Sequence, residues 1–417
     1  MCCGMCAIGQ EDRELELIYQ KENNSEALRI DYITFQPYSE YYPNIQMLQR
    51  SGDMSFKSHY MALSLLSKRI VRWAIRAMVL MVFASFLDGS GGYKALVNLG
   101  VWAQPVLVLY FVWWKSNRFV ISLDSVIKYF ASGYIIGFFE ALIVETLMSI
   151  PFMVIGVATF VMETGETNMN REDVQGIIKE HMGVWALFVF FLSFGLAAFV
   201  EEIVKYYCYW TVETPDQLDT TNNKSKVDQA KFVTIAMVSA ALGFACEENM
   251  LYVFQLPNIR DEAAVLLLRS LLAVHPVCAA IQALGVVRRD VQGDPTSSLG
   301  WTLLPAIILH GSFDFFILLN DLFLEDWGTL PDDTTTTTTD DISTPSVTLD
   351  EVVKEGGIFI GLFFMIAGLA YFFWQYRKQQ NQLDLDDSTN SFQMTSLHVV
   401  EDEPMDHDSP TSPIIAV

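Results

Sequence analysis

The stretch FVEEIVKYY, residues 199–207, ends an apolar segment of membrane length with three charged side chains. Glu201 and Glu202 are adjacent, and Lys205 lies four residues after Glu201, so a helix places that last pair on one face. An ionisable side chain inside a bilayer costs a few kcal/mol on insertion scales, which makes it a functional candidate by default. The stretch therefore indicates either a polar site inside a helix bundle or a helix end in interfacial water.

The composition of the whole chain favours a membrane protein. Of the 417 residues, 52% are hydrophobic, and a soluble globular chain of this length is rarely so apolar. The formal net charge is -23, which argues against nucleic-acid binding because that function needs a basic surface to displace counterions. We therefore expect the lipid bilayer to be the main environment of this chain.

Eight stretches approach the length of about 20 apolar residues that a helix needs to cross a bilayer. They predict an all-α, polytopic membrane protein of about eight transmembrane helices, with spans at 70–88, 94–114, 129–162, 183–210, 231–254, 263–287, 300–324 and 356–374. The third span contains Glu140, Glu145 and Pro151, so it fits either one kinked span or a span followed by a re-entrant piece.

Basic residues in the loops predict the orientation of the chain. Lysine and arginine precede the first span and follow every even-numbered span, as at Lys224 and Arg288. The loops on the opposite side contain few basic residues. This alternation predicts an integral, multi-pass protein of the plasma membrane or an endomembrane, with both termini in the cytosol.

Low-complexity and polar segments set the remaining boundaries. The threonine run 334–339 cannot build a packed core. The predicted regions are a cytosolic N-terminal region (1–66), N-terminal membrane helices (67–182), a catalytic membrane core (183–324), a Thr/Asp-rich lumenal or extracellular loop (325–354), the last transmembrane helix (355–375) and an acidic, disordered cytosolic tail (376–417).

The fourth to seventh spans all carry ionisable or amide side chains, and helical spacing gives each span one polar face. We expect these four faces to meet around one buried cavity and to form the catalytic helix bundle. The groups are Glu201, Glu202 and Lys205 on the fourth span, Glu247, Glu248 and Asn249 on the fifth, Arg269 and His275 on the sixth, and His310 and Asp314 on the seventh.

Acid–base hydrolysis is one chemistry that fits these groups. Two carboxylates crowded in a low dielectric cannot both keep their charge cheaply, so the pair supplies a general acid and a general base. Water activated by a carboxylate could attack an amide while an imidazole stabilises the oxyanion. Such a site would hydrolyse a peptide bond.

A zinc site is the second chemistry that fits. Glu202, Glu248, His275 and His310 are residue types that hold zinc and leave a position for water. The chain contains no HExxH motif and no GxSxG motif, which excludes a helix-borne zincin site and a serine elbow.

A proton-coupled transporter is the alternative from another functional class, because it could use the same Glu and His groups as a relay. Transporters often show internal symmetry, with Gly- or Pro-broken helices at matching positions of two halves. The first four and last four spans show no such symmetry.

Four sequence motifs resemble those of the PrsW family of intramembrane proteases, which is related to the CAAX-processing membrane proteases. Together they cover about residues 195–320 and stand in order on separate spans. They are EEIVK (201–205) for EExxK, FACEEN (244–249) for FxxxEN, HPVCAAIQALG (275–285) preceded by Arg269 for the third segment, and HGSFD (310–314) for HGxxD.

The resemblance implies an endopeptidase, glutamate-dependent or metal-assisted, that cuts membrane proteins or membrane-tethered peptides. On this basis we assign an expected role to each motif residue. Glu201 or Glu202 would be the general base, Glu248 would position water, His275 and His310 would donate protons or stabilise the oxyanion, Asn249 and Asp314 would orient them, Lys205 and Arg269 would tune the charge, and Phe244 completes its motif.

Two points stay open at this stage. CAAX-type relatives carry a histidine where this chain has Glu248, which leaves the partner that activates water undecided. Glu201 falls in the cytosolic half of its span and Glu248 nearer the other side, and a helix rises about 1.5 Å per residue. A common cavity therefore requires the helices to tilt or to extend beyond the bilayer.

Overall fold

A computed structural model describes residues 30–31, 36–37, 55–87, 92–115, 118–164, 180–212, 214, 225–254, 259–324 and 349–401. Residues 325–348 of the predicted Thr/Asp-rich loop lie outside the described residues, and so does nearly all of the N-terminal region before residue 55. The only strands among the described residues are β1 (Ile30–Asp31) and β2 (Gln36–Pro37), which pair antiparallel.

Helices make up nearly all of the described structure. In chain order they are α1 (Phe56–Met61), α2 (Leu65–Leu87), α3 (Tyr93–Leu109), α4 (Leu123–Ala131), α5 (Phe138–Thr164), α6 (Met182–Phe190), α7 (Phe199–Thr211), α8 (Lys226–Phe254), α9 (Ile259–Leu271), α10 (Val274–Val286), α11 (Leu299–Leu324) and α12 (Leu349–Glu401). Four π-helical segments continue α-helices, namely π1 (Tyr110–Trp114), π2 (Ser132–Gly137), π3 (Phe191–Ala198) and π4 (Val287–Val291).

Seven helical runs of the described chain are long and apolar enough to cross a membrane, judged by length and composition. They coincide with predicted spans two to eight, so the polytopic, all-α architecture is confirmed. The first predicted span coincides with α2, which is not one of the seven. The third span is one helical run from Leu123 into α5, with Pro151 inside it and no re-entrant piece.

Helix α8 and the run Val265–Val291 form the centre of the bundle. About four fifths of their most apolar windows, 83% and 78%, are buried inside the protein, whereas the other five runs reach at most 28%. The two spans with the FACEEN and HPVCAAIQALG motifs are therefore the best shielded from lipid. The candidate catalytic groups on them lie deep inside the protein.

Two glycines allow α8 to approach the third span closely. A Cβ atom on Gly243 would overlap the carbonyl oxygen of Phe130, and one on Gly133 would overlap that of Ala240. Small residues permit such backbone contact between membrane helices. The crossing of π2 and α8 therefore depends on glycine at these two positions.

The sixth span breaks immediately before its histidine. Ala273 has φ -72° and ψ 68°, and the Val274 N–H donates to the Leu272 carbonyl at 2.8 Å, which together form an inverse γ-turn. Pro276 lies in the first turn of α10, where its missing N–H costs nothing. Non-helical backbone at membrane depth is tolerated when protein surrounds it, and here the break places His275 at the start of a new helix.

The last helix continues to Glu401, whereas the sequence predicted a disordered tail after residue 375. The reason is a stripe of inward contacts beyond the membrane segment. The Gln379 side chain donates to the Leu284 carbonyl at 3.0 Å, Leu383 is completely buried, and Asp386 pairs with Lys226 at 3.1 Å. This part of α12 is thereby fixed to the ends of α8 and α10.

Candidate active site

The four polar faces meet in one buried cluster, as the spacing of the motifs predicted. Ligand atoms of Glu201, His275 and His310, from α7, α10 and α11, all lie within 4.8 Å of one another. The fifth span joins them because Glu248 Oε2 on α8 is 2.5 Å from His275 Nε2. The helices therefore do bring Glu201 and Glu248 to one depth.

Lys205 lies at the middle of the cluster. Its ammonium donates to Glu201 Oε2 at 3.0 Å and to Glu202 Oε1 at 2.9 Å, and it is 2.7 Å from His275 Nδ1. It also lies 4.6 Å from the centre of the Phe244 ring, within reach of a cation–π interaction. The cation offsets the two carboxylates that one turn of α7 brings into the bundle.

Glu202 is completely buried and fully engaged. Oε1 accepts from Lys205 and lies 2.8 Å from His310 Nδ1, while Oε2 accepts from Gln282 Nε2 at 2.6 Å. The Gln282 amide also donates to the Glu202 main-chain carbonyl at 3.1 Å. This carboxylate is thus held by three side chains from three helices.

In each histidine one nitrogen, the outer one, contacts a glutamate carboxylate, and the other, the inner one, lies near Glu201, although Lys205 is closer to that of His275 and Asp314 to that of His310. His275 Nε2 contacts Glu248, and its Nδ1 is 3.5 Å from Glu201 Oε2. His310 Nδ1 contacts Glu202, and its Nε2 is 3.9 Å from Glu201 Oε2 and 3.3 Å from Asp314 Oδ2. A carboxylate on the second ring nitrogen is how proteins orient a histidine whose first nitrogen does chemistry.

Glu248 is anchored by a chain of polar contacts. Arg269 Nη2 is 2.7 Å from Glu248 Oε2, and Arg269 Nε donates to Asn249 Oδ1 at 2.6 Å. Asn249 in turn donates to Gln104 Oε1 on α3 at 3.0 Å. The guanidinium also stacks 4.3 Å from the Tyr252 ring. Arg269 therefore contacts Glu248 directly, and Asn249 contacts Arg269 rather than a histidine, which is the residue that we expected it to orient.

The sequence interpretation missed three groups that the structure places at or near the cluster. Gln282 and Gln104 are uncharged amides, so a search for ionisable residues passes over them, although Gln282 shares a helix face with His275 at a spacing of seven. Glu145 on α5 interacts electrostatically with Glu201, Lys205 and other cluster members, and its buried Oε1 has no hydrogen-bond partner among the residues that the structure describes. Its position inside an apolar span was the available signal.

Two imidazoles and a carboxylate form a donor set that zinc accepts. The set close enough to share an ion contains Glu201, together with His275 and His310. The sequence suggested Glu202 and Glu248 as further ligands. In the structure Glu202 instead contacts His310 Nδ1, and Glu248 contacts His275 Nε2. The residues fit a metal ion, provided that the Lys205 ammonium withdraws from His275 Nδ1.

The chain matches a protein-family model over part of its length. Residues 122–329 match the family described as PrsW family intramembrane metalloprotease. Comparisons with curated proteins and with solved structures gave no match. The matched region contains all four motif helices, and the resemblance seen in the motifs is confirmed. Residues 122–329, and with them the whole buried cluster on α7, α8, α10 and α11, therefore belong to the PrsW family of intramembrane proteases.

Proposed function

We propose that the protein is an endopeptidase that hydrolyses peptide bonds of membrane proteins or membrane-tethered peptides, with water activated at Glu201. One observation carries the proposal: His275 Nδ1 and His310 Nε2 lie 3.5 Å and 3.9 Å from Glu201 Oε2 inside a buried cluster. The family match supports a protease over a proton-coupled transporter.

The two adjacent glutamates have different jobs in this proposal. Glu202 has its oxygens bonded to Lys205, His310 and Gln282, which suits a residue that orients others. Glu201 is 7% exposed, and within the described part of the chain its carboxylate accepts one close hydrogen bond, from Lys205 at 3.0 Å, with His275 Nδ1 farther away at 3.5 Å. Its carboxylate is therefore the better placed of the two to meet water and substrate.

The reaction then needs one water molecule and two proton movements. Glu201 takes a proton from water as the water oxygen bonds to the carbonyl carbon of the substrate. The Nε2–H of His310 donates to the oxyanion that forms, because His275 Nδ1 accepts from the Lys205 ammonium and its Nε2 contacts Glu248. The C–N bond breaks as the departing nitrogen receives the proton from Glu201, which leaves a carboxyl product, an amine product and unchanged enzyme.

A zinc ion held by Glu201, His275 and His310 would polarise the substrate carbonyl and favour ionisation of a bound water. In that version Glu201 is a ligand rather than the general base. The two versions share the same residues and the same product. They differ in their response to a chelator, which makes the choice between them measurable.

The test is a cleavage assay of purified protein in detergent against a panel of membrane-tethered peptides. We expect Glu201→Gln and His310→Ala to lower the rate of cleavage about 100-fold or more. Glu247→Gln is the matched control, since it makes the same change on α8 beside Glu248 but outside the cluster, and it should cleave within about threefold of wild type.

Chelation separates the two mechanisms. Wild-type activity that survives a strong chelator, with Glu201→Gln inactive, supports Glu201 as general base. Activity lost with chelator and restored by zinc supports Glu201 as a ligand. Folded Glu201→Gln and His310→Ala proteins that cleave as fast as wild type would show that the proposed site is wrong.

A further inference from the structure

We propose that Gln282 is a positioning residue of this site, which holds the Glu202 carboxylate and through it fixes the orientation of His310. The inference rests on the proposed function and adds to it a residue that carries no charge and belongs to none of the predicted catalytic groups.

The side-chain amide of Gln282 donates both of its hydrogens to Glu202. It is completely buried on α10, and Nε2 donates to the Glu202 main-chain carbonyl at 3.1 Å and to Glu202 Oε2 at 2.6 Å. An amide nitrogen offers two hydrogens, so both are used. The opposite amide orientation would turn Gln282 Oε1 towards two oxygens, which fixes the assignment shown here.

Glu202, which Gln282 holds, is in turn in direct contact with His310. Glu202 Oε1 lies 2.8 Å from His310 Nδ1, and this contact determines which ring nitrogen faces Asp314 and Glu201. Without Gln282, Oε2 of Glu202 would be a buried acceptor with no donor, and such a group costs free energy until it finds another. Rotation of the carboxylate towards a new donor would release the imidazole.

Gln379 provides a matched control within the same protein. It is also buried, at 4% exposure, and its Nε2 donates to a main-chain carbonyl of α10, that of Leu284, at 3.0 Å. This hydrogen bond leads to α10 and not to the cluster of Glu201, His275 and His310. Replacement of Gln379 therefore removes a buried amide donor to the same helix without touching Glu202.

The first measurement compares Gln282→Met with Gln379→Met in the detergent cleavage assay, because methionine keeps the length of the side chain and removes the amide. We expect kcat to fall about 10- to 100-fold for Gln282→Met, as for other residues that orient a ligand or base through a partner. KM should stay within about twofold, and Gln379→Met should keep the wild-type kcat.

A double-mutant cycle tests whether the effect passes through Glu202. Added to Glu202→Gln, the Gln282→Met change should lower kcat by less than about threefold, since its target is already altered. The same fold loss in both backgrounds would overturn the inference, as would a folded Gln282→Met enzyme with wild-type kcat. Wild-type protein that cleaves no peptide would instead overturn the proposed function.

Nuclear magnetic resonance of histidine side chains gives a readout independent of activity. The chain has six histidines, so selective ¹⁵N-histidine labelling gives a small set of signals. We expect the His310 ring signals to shift in Gln282→Met and to stay in place in Gln379→Met. Should Gln282→Met fail to fold, Gln282→Asn keeps the amide but shortens its reach, and unchanged His310 signals with wild-type kcat in that variant overturn the inference.

Discussion

The inner helix α8 and the outer run Leu123–Gly156 approach the same buried cluster of Glu201, His275 and His310, yet they are packed in opposite ways. In its most apolar window α8 is 83% buried, whereas the outer run is 11% buried. The outer run is held tightly near its start, where Gly133 meets α8, while a Cβ atom on Gly156 near its other end would meet nothing within 4 Å. One side of the site is rigid core and the other faces lipid.

This difference suggests a division of labour. The inner side fixes Glu248, His275 and their partners, because catalysis needs groups held to within fractions of an ångström. The outer side carries Glu145, an acid that interacts electrostatically with the cluster, on the least buried of the seven apolar runs in the described chain. We expect a substrate that arrives from the bilayer to approach the site past α5.

Gly243→Ala should disrupt the packing of α8 against the third span, and we expect it to lower stability more than Leu383→Ala or Phe244→Leu. The added methyl group would overlap the Phe130 carbonyl. Since the overlap is with backbone atoms, it can be relieved only if the two helices move apart. We expect a loss above about 4 kcal/mol, at the exceptional end for single substitutions, measured as thermal unfolding or yield of folded protein in detergent. Gly156→Ala makes the same change on α5 and should cost nothing or stabilise slightly. Equal effects at the two positions would contradict the comparison.

Leu383→Ala tests a second contrast, between the two sides of the helical extension of α12. Leu383 is completely buried in the core that includes α8, and Leu385 is 68% exposed. We expect Leu383→Ala to lower the free energy of unfolding by about 2–5 kcal/mol and Leu385→Ala to change it by less than about 0.5 kcal/mol. Chemical denaturation in detergent measures both. If Leu383→Ala is neutral, the extension does not dock on the bundle.

The motif helices and their convergence were predictable from the sequence, because ionisable groups in apolar spans must find each other or water. Glu201, His275 and His310 met that condition, and the structure brings them together. Other features depended on tertiary contacts. Adjacent glutamates look equivalent in a sequence, and only the bonds from Gln282 and His310 distinguish Glu202 from Glu201.

Two errors in prediction have a common physical origin. The tail after residue 375 is polar and acidic, which is typical of disorder, but its described part, residues 376–401, is helical and begins with inward contacts such as those of Gln379 and Leu383. The break at Ala273 was also missed, because the surrounding residues are apolar and a single inverse γ-turn leaves no compositional trace. In both cases a small number of neighbours decides the outcome.

Phe244→Leu sharpens the comparison with the smallest expected effect. The ring is 2% exposed on α8, and beneath it lies the Lys205 ammonium at 4.6 Å, so leucine keeps the packing volume roughly but removes the cation–π contact. Such contacts are worth about 0.5–2 kcal/mol, which predicts a loss of kcat of about 2- to 30-fold if the free energy appears in the catalytic step.

Phe232→Leu, twelve residues earlier on α8 and equally buried, is the control for packing alone. We expect both variants to lose similar stability and only Phe244→Leu to lose activity. A parallel loss of activity in Phe232→Leu would mean that the inner helix supports catalysis through its rigidity as a whole, and that Lys205 needs no particular neighbour on α8.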